Sequence, residues 1–246
     1  TLPARNKLLE SMTSDVATHV LRNNYQQSQA ISLIELRARE RLQLQEAVII
    51  DLEREQGLNR ALEGLPDHEE IQHRLRLGKG LSRPEICVVF AYAKIALSRN
   101  LLASDIPDRA DMQHWLVSYF PPALQKKYEK EIKNHRLRRE IIATLISNSL
   151  INRVGAGFVL EQRKKTGASD SDIAKSYLMV REIFQLRDLW DSIEALDNKV
   201  PAQVQLVAMK DIAELAKHAS TWFLRRGNMK DMGKDIRDYS AAIKTL

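Results

Sequence analysis

Leu81-Ser-Arg-Pro-Glu-Ile-Cys-Val-Val-Phe-Ala-Tyr-Ala-Lys-Ile-Ala-Leu-Ser-Arg99 is the stretch that decides the fold. Ser82 and Glu85 stand in capping-box order, with Pro84 in the first turn where its missing N–H costs nothing. Behind that start, Ile86 to Ala93 is apolar on every side of a helix. A helix that is hydrophobic all round must be wrapped by others, so the stretch predicts a buried helix in an all-helical body. Cys87 falls inside it and is expected to be a small buried hydrophobe.

Outward from this helix, nearly every segment has a helical period. Thr13-Ser14-Asp15 offers N-cap candidates for a helix reaching about Tyr25. Ile31 to Gln56 reads as one long charged helix, with Ile31, Ile34, Ala38, Leu42, Ile49 and Leu52 as its stripe and Gly57 as its stop. Leu65-Pro66-Asp67 starts a shorter helix that ends at Gly78 or Gly80. Beyond Arg99, Asp105-Ile-Pro-Asp108 is a turn, and Tyr119-Phe-Pro-Pro122 marks a corner followed by a new helix start. Arg136 to Lys165 reads as a second long helix with two ridges spaced by four, Leu137-Ile141-Leu145 and Ile142-Ile146-Leu150. Thr166-Gly-Ala-Ser169 stops it and caps the next, which carries Ile173, Tyr177, Val180 and Phe184 and continues to Trp190, Ile193 and Leu196. Val204, Val207, Leu215, Trp222 and Phe223 mark another helix ending at Arg225-Arg226-Gly227, and Met229 to Leu246 a final, weaker one. No segment alternates as a strand does. The expected fold is all-α, a multi-helix bundle with long helices and no sheet. It is taken as one region, 1–246, in which 1–120 and 121–246 are candidate sub-bundles.

Composition narrows the functional classes. Glycine (9) and proline (7) are too scarce for a strand-and-turn architecture. No apolar run approaches the roughly 18–20 residues that a membrane span needs. Thr1-Leu-Pro-Ala-Arg-Asn-Lys7 has no signal-peptide pattern and no initiator Met, so the chain reads as a piece of a longer cytoplasmic polypeptide. One cysteine excludes an internal disulfide and a cysteine-rich metal site. A net charge of +6 invites a nucleic-acid reading. The distribution argues against it: Lys126-Lys127 is followed by Glu129 and Glu131, and Arg163-Lys164-Lys165 is preceded by Glu161. Interleaved signs are the pattern of solvated helix faces.

Candidate chemistry is sparse. A dinucleotide site needs a strand, a Gly-x-Gly-x-x-Gly turn and a helix, so that backbone N–H groups can approach the pyrophosphate. The nearest stretch, Val154-Gly-Ala-Gly-Phe158, lacks the third glycine and follows no strand; small residues admitting a neighbouring helix explain it better. Six histidines are scattered, and His68 and His73 lack the i,i+4 spacing of a helical zinc pair. The acid pairs Glu53/Glu55 and Glu69-Glu70 lie on charged faces. Trp115, Trp190 and Trp222 fall on apolar faces and are expected to anchor the core. No catalytic, cofactor-binding or metal-ligating residue is assigned.

The wording of several segments resembles a family, the C-terminal helical region of the large NAD-specific glutamate dehydrogenases of bacterial type. Leu81-Ser-Arg-Pro-Glu85 followed by Ala91-Tyr-Ala-Lys94 carries the likeness most strongly. Met12-Thr-Ser-Asp-Val-Ala17, Leu21-Arg-Asn-Asn-Tyr25, His135-Arg-Leu-Arg-Arg-Glu-Ile-Ile-Ala-Thr144, Asn152-Arg-Val-Gly155, Thr166-Gly-Ala-Ser169 and Glu194-Ala-Leu-Asp-Asn198 recur in the same order. Ile86-Cys87 and Phe90 depart from the usual residues and bear on packing. The resemblance implies an enzyme that oxidises L-glutamate to 2-oxoglutarate and ammonium with NAD, whose catalytic lysines, aspartate and nucleotide fold lie upstream of Thr1. It therefore places no catalytic residue and no cofactor on this chain, which would serve as a structural or regulatory part. The implied partners are the catalytic domain of the same polypeptide and further copies of the full-length subunit, with no membrane. The rival reading is a free-standing helical interaction module binding nucleic acid or protein.

Overall fold

The computed structural model describes residues 2–226, 229 and 231–243. Thirteen α-helices and no strand occur among the described residues, as the helical periods require. They are α1 (Leu2–Leu36), α2 (Leu42–Gln56), α3 (His68–Arg76), α4 (Arg83–Leu102), α5 (Gln113–Tyr119), α6 (Pro122–Gln125), α7 (Glu129–Lys133), α8 (Arg138–Val154), α9 (Gly157–Thr166), α10 (Asp170–Ile183), α11 (Leu186–Glu194), α12 (Ala202–Arg226) and α13 (Met232–Ile243). Two 3-10 turns, Ile106–Asp108 and Ala110–Met112, join α4 to α5.

Punctuation read from local chemistry lands where expected. Gly57 ends α2 in the left-handed region at φ 65°, where a residue without Cβ is cheapest. Asp67 caps α3 by accepting from the Glu70 N–H, and Ser169 caps α10 by accepting from the Asp172 N–H. Glu85 turns back to accept from the Ser82 N–H at 2.6 Å, closing the capping box of α4 from its far side. Pro121 and Pro122 stand at the start of α6. The expected stop at Gly227 and the end at Leu246 lie outside the described residues.

Three long helices are divided where the periodicity suggested continuity. Ile31–Gln56 breaks at 37–41, although Arg37, Ala38, Arg39, Glu40 and Arg41 are all tolerated in helices. There the ladder tightens, with Arg37 N–H on Ile34 C=O and Ala38 N–H on Glu35 C=O. Arg136–Lys165 breaks at Gly155, whose φ of 86° no helix admits, and α8 and α9 meet at 89°. The third break is at Gln185, left-handed at φ 51° without being glycine. At the other end, α1 runs straight through Thr13-Ser14-Asp15, so these residues cap nothing; Thr13 Oγ1 instead donates to the Leu9 carbonyl.

Two apolar clusters share α4 as a common wall. Ile86 and Val89 face the smaller cluster with Leu42, Ile49 and Leu52 of α2 and Ile71 of α3. Phe90, Ala93, Leu97 and Leu101 face the larger one, which gathers α5 and α7 to α13 around Ile142, Ile146, Leu150, Phe158 and Tyr177. Each such fully buried side chain contributes roughly 1.5–3 kcal/mol through removal from water. The α4–α8 contact is the most extensive in the molecule. α4 is nevertheless not wrapped on every side: Cys87, Ala91 and Ile95, spaced by four, are exposed. The expectation of a buried Cys87 is therefore corrected; the neighbouring helices leave this strip of α4 to water. On α12 the packed face carries Gln205, Met209, Ile212, Ala216, Lys217, Ser220 and Phe223, while Val204, Val207, Leu215 and Trp222 are exposed. Trp115 and Trp190 anchor the core, but Trp222 is 43% exposed, with the Arg226 guanidinium over its ring at 4.2 Å.

Candidate functional site

The residues singled out for chemistry do not converge. His68 Nδ1 lies 2.7 Å from Glu46 Oε1, and no group of three His, Cys, Asp or Glu side chains suited to a metal occurs among the described residues. The acid pairs are engaged in surface ion pairs, Glu53 with Arg60 at 2.8 Å and Glu70 with Arg74 at 2.7 Å. Gly155-Ala156-Gly157 follows a helix rather than a strand. A Cβ on Gly157 would meet the Leu44 side chain at 2.8 Å, so this glycine admits α2 closely, as the small-residue reading held. The stretch has neither the preceding strand nor the third glycine of a dinucleotide turn. No single helix among the described residues is long and apolar enough to cross a membrane.

What the structure does assemble is a charged cluster and a cavity at the break between α1 and α2. Arg37 donates to Glu214 at 2.6 Å; Arg41 bridges Glu161 and Glu214, both at 3.0 Å; Lys217 reaches Glu161 at 2.8 Å. Burial would raise the Glu214 carboxyl, but the Arg37 hydrogen bond and the charges of Lys217, Arg37 and Arg41 outweigh it and hold the group below its ordinary value. These bonds tie the tight turn at 37–41 to α9 and α12, which explains a break that local propensity does not ask for. Behind the cluster opens a cavity of about 110 Å³ bounded by α1, α2, α4, α8, α9 and α12. The sequence signal for this cluster is faint. Two arginines four apart on one helix face repel, and so ask for shared carboxylates elsewhere.

A second feature lies at the opposite end of α1. From Leu2 to Asn24 no described side chain is buried, and Leu9, Val16, Val20 and Leu21 are exposed along the helix. At about 1.5 Å per residue this is an arm roughly 35 Å long carrying apolar side chains into solvent. Arg22, paired with Asp191, marks where the arm meets the body.

The described residues thus form a multi-helix body without a sheet, from which the first turns of α1 project as an arm. Comparison makes this specific: the model of the family described as "Glutamate dehydrogenase, C-terminal" matches residues 78–246, and the chain belongs to that family. It is 41% identical over 243 residues to the NAD-specific glutamate dehydrogenase of Pseudomonas aeruginosa, 41% identical over 237 residues to that of Halomonas elongata, and 32% identical over 243 residues to that of Mycobacterium tuberculosis. These alignments cover 98%, 96% and 98% of the chain but 15% of each relative, so the chain spans about 15% of their length. The dehydrogenase reading therefore stands over the free-standing module.

Proposed function

We propose that this chain is the C-terminal helical part of an NAD-specific glutamate dehydrogenase subunit, and that α1 docks it onto the catalytic portion. The parent reaction is the oxidation of L-glutamate to 2-oxoglutarate and ammonium, with a hydride passing to NAD. No residue of this chain takes part in that transfer; NAD and the catalytic groups belong to the remainder of the subunit. The observation that carries the docking is the arm itself. Leu9, Val16, Val20 and Leu21 lie exposed on a helix whose other end is anchored in the core, and apolar side chains gathered on a projecting arm form a surface suited to another part of a protein. The relatives are more than six times longer than their match to this chain, which supports the rest of the same polypeptide as the partner in this reading. Assembly of full-length subunits into a homo-oligomer and a cytoplasmic location belong to the same reading; an exposed, unpaired Cys87 suits a reducing compartment.

The test is the triple substitution V16D/V20D/L21D in a full-length subunit containing this region. Glutamate-dependent NAD reduction is expected to fall at least tenfold, or its thermal inactivation to move to lower temperature. The separate 246-residue chain, whose core these residues do not enter, should melt unchanged. Equal activity and inactivation in the full-length pair would defeat the docking.

A further inference from the structure

The cavity at the α1–α2 break has the properties of a site for a neutral ligand. Its floor is apolar, formed by Leu33, Ile34, Val48, Val89 and Phe90. Two amide side chains, Gln45 and Asn152, stand in the same wall and are 9% and 8% exposed. Gln45 Oε1 and Asn152 Oδ1 accept no hydrogen bond, and neither side-chain NH2 donates one among the described residues. A buried amide left unpaired carries a free-energy penalty that native proteins rarely leave uncompensated, so both are places for a ligand atom or a water.

Charge excludes an ion as the occupant. The four cations of the wall, Arg37, Arg41, Arg153 and Lys217, meet four carboxylates, Glu40, Glu161, Glu194 and Glu214. No charge is left over, and an ion moved from water into an apolar cavity without a counter-charge is strongly disfavoured.

The two amides define the head group. Each offers a carbonyl acceptor and two N–H donors, and half a turn of its terminal group exchanges them. The complement is a neutral group with the same functions side by side, a primary carboxamide. A carboxylate or a ketone has no N–H for the orphaned oxygens, and an alcohol has one O–H for two amides. The volume sets the size. A dry cavity of about 150 Å³ takes benzene, so about 110 Å³ suits about six non-hydrogen atoms.

We infer that this cavity binds a small branched primary carboxamide, its aliphatic body against Leu33, Val48 and Val89 and its CONH2 head paired with the Gln45 and Asn152 amides. The site joins α1 to α2, α9 and α12, so its occupation stiffens the junction from which the α1 arm projects. This inference does not depend on the docking of that arm.

The probe is isobutyramide, titrated into the 246-residue chain and read by the methyl resonances of Leu33, Val48 and Val89. It is expected to shift them saturably, with a dissociation constant on the order of 1 mM for so few atoms. Methyl isopropyl ketone, the same shape with a methyl in place of NH2, should bind at least tenfold more weakly. Isobutyrate, the same shape with a charge and no N–H, should also bind at least tenfold more weakly. Q45M and N152L each remove one unpaired amide at nearly constant volume. Each should weaken isobutyramide about tenfold, leave the ketone's affinity unchanged and leave the melting temperature unchanged or raised. Absence of a saturable shift, meaning a cavity that holds water alone, overturns the inference. So does binding of the ketone or the acid as tight as that of the amide, or full isobutyramide affinity in either variant.

Discussion

Gly80 lies against Ala38 with no room for a side chain: a Cβ on Gly80 would come within 2.4 Å of the Ala38 carbonyl carbon and 2.5 Å of its Cβ. The loop after α3 thus clamps the tight turn between α1 and α2 from outside, while Arg37 and Arg41 hold it from within. Substituting alanine here forces backbone against backbone, and overpacking of that kind costs about 3 kcal/mol. Gly57 makes the control, since its φ of 65° strains an alanine but nothing lies within 4 Å of the new Cβ; left-handed strain alone costs about 1 kcal/mol. Urea midpoints should therefore fall much further for G80A than for G57A. Equal falls would mean that the 78–80 loop yields freely and does not clamp the turn.

The same pair shows what the sequence discloses and what it withholds. Several stops and starts set by local chemistry were legible: Gly57, Asp67, Ser82 with Glu85, Pro121-Pro122, Gly167 and Ser169 act within four residues of themselves, whereas the stop at Gly155 was read through. The apolar stripe Ile31–Leu52 was legible too, and Ala38, Leu42, Ile49 and Leu52 are buried. The break inside that stripe was not, because residues 40 or more positions away dictate it: Gly80, Glu161, Glu214 and Lys217. Gln185 is a similar case, a left-handed residue with no glycine to announce it. On α12, apolar identity misled. Val204, Val207 and Trp222 look like core positions, yet the packed face runs through Gln205, Lys217 and Ser220; Gln205 Nε2 donates to the Ile193 carbonyl at 3.0 Å and Lys217 Nζ to Glu161 at 2.8 Å. The cavity was illegible for the same reason, since its walls come from six helices.

Glu85 gives the fold an acid sensitivity with a defined direction. Burial pulls its carboxyl upward, but two hydrogen bonds from Arg74, at 2.7 and 3.0 Å, and one from the Ser82 N–H outweigh this and hold it below its ordinary 4.5. A carboxylate depressed in the folded state adds stability that is complete above pH 4.5 and is lost as the pH falls through the folded value. E85Q should therefore unfold at lower urea at pH 7, and its stability should fall less steeply than the parent's below pH 4.5. Parallel acid limbs in the two proteins would show that Arg74 and Ser82 do not grip the charged form.

Lys94 works in the opposite direction at the alkaline end. It stands one turn after Phe90, its Nζ 4.5 Å from the ring centroid, and burial alone pushes the ammonium down from 10.5 to about 8. Contact with an aromatic face returns part of the lost hydration, but no carboxylate pairs with it among the described residues. With the folded value below the unfolded one, the unfolded chain binds more protons between pH 8 and 10.5, so stability rises with pH across that window. K94M removes the buried ammonium and keeps the stem. It should be more stable than the parent at pH 7, with an advantage that shrinks as the pH climbs from 8 to 10.5. Reductive ¹³C-methylation offers a direct reading: the dimethyl resonance of Lys94 should titrate with a midpoint near 8, and a midpoint near 10.5 would mean that water reaches this ammonium freely.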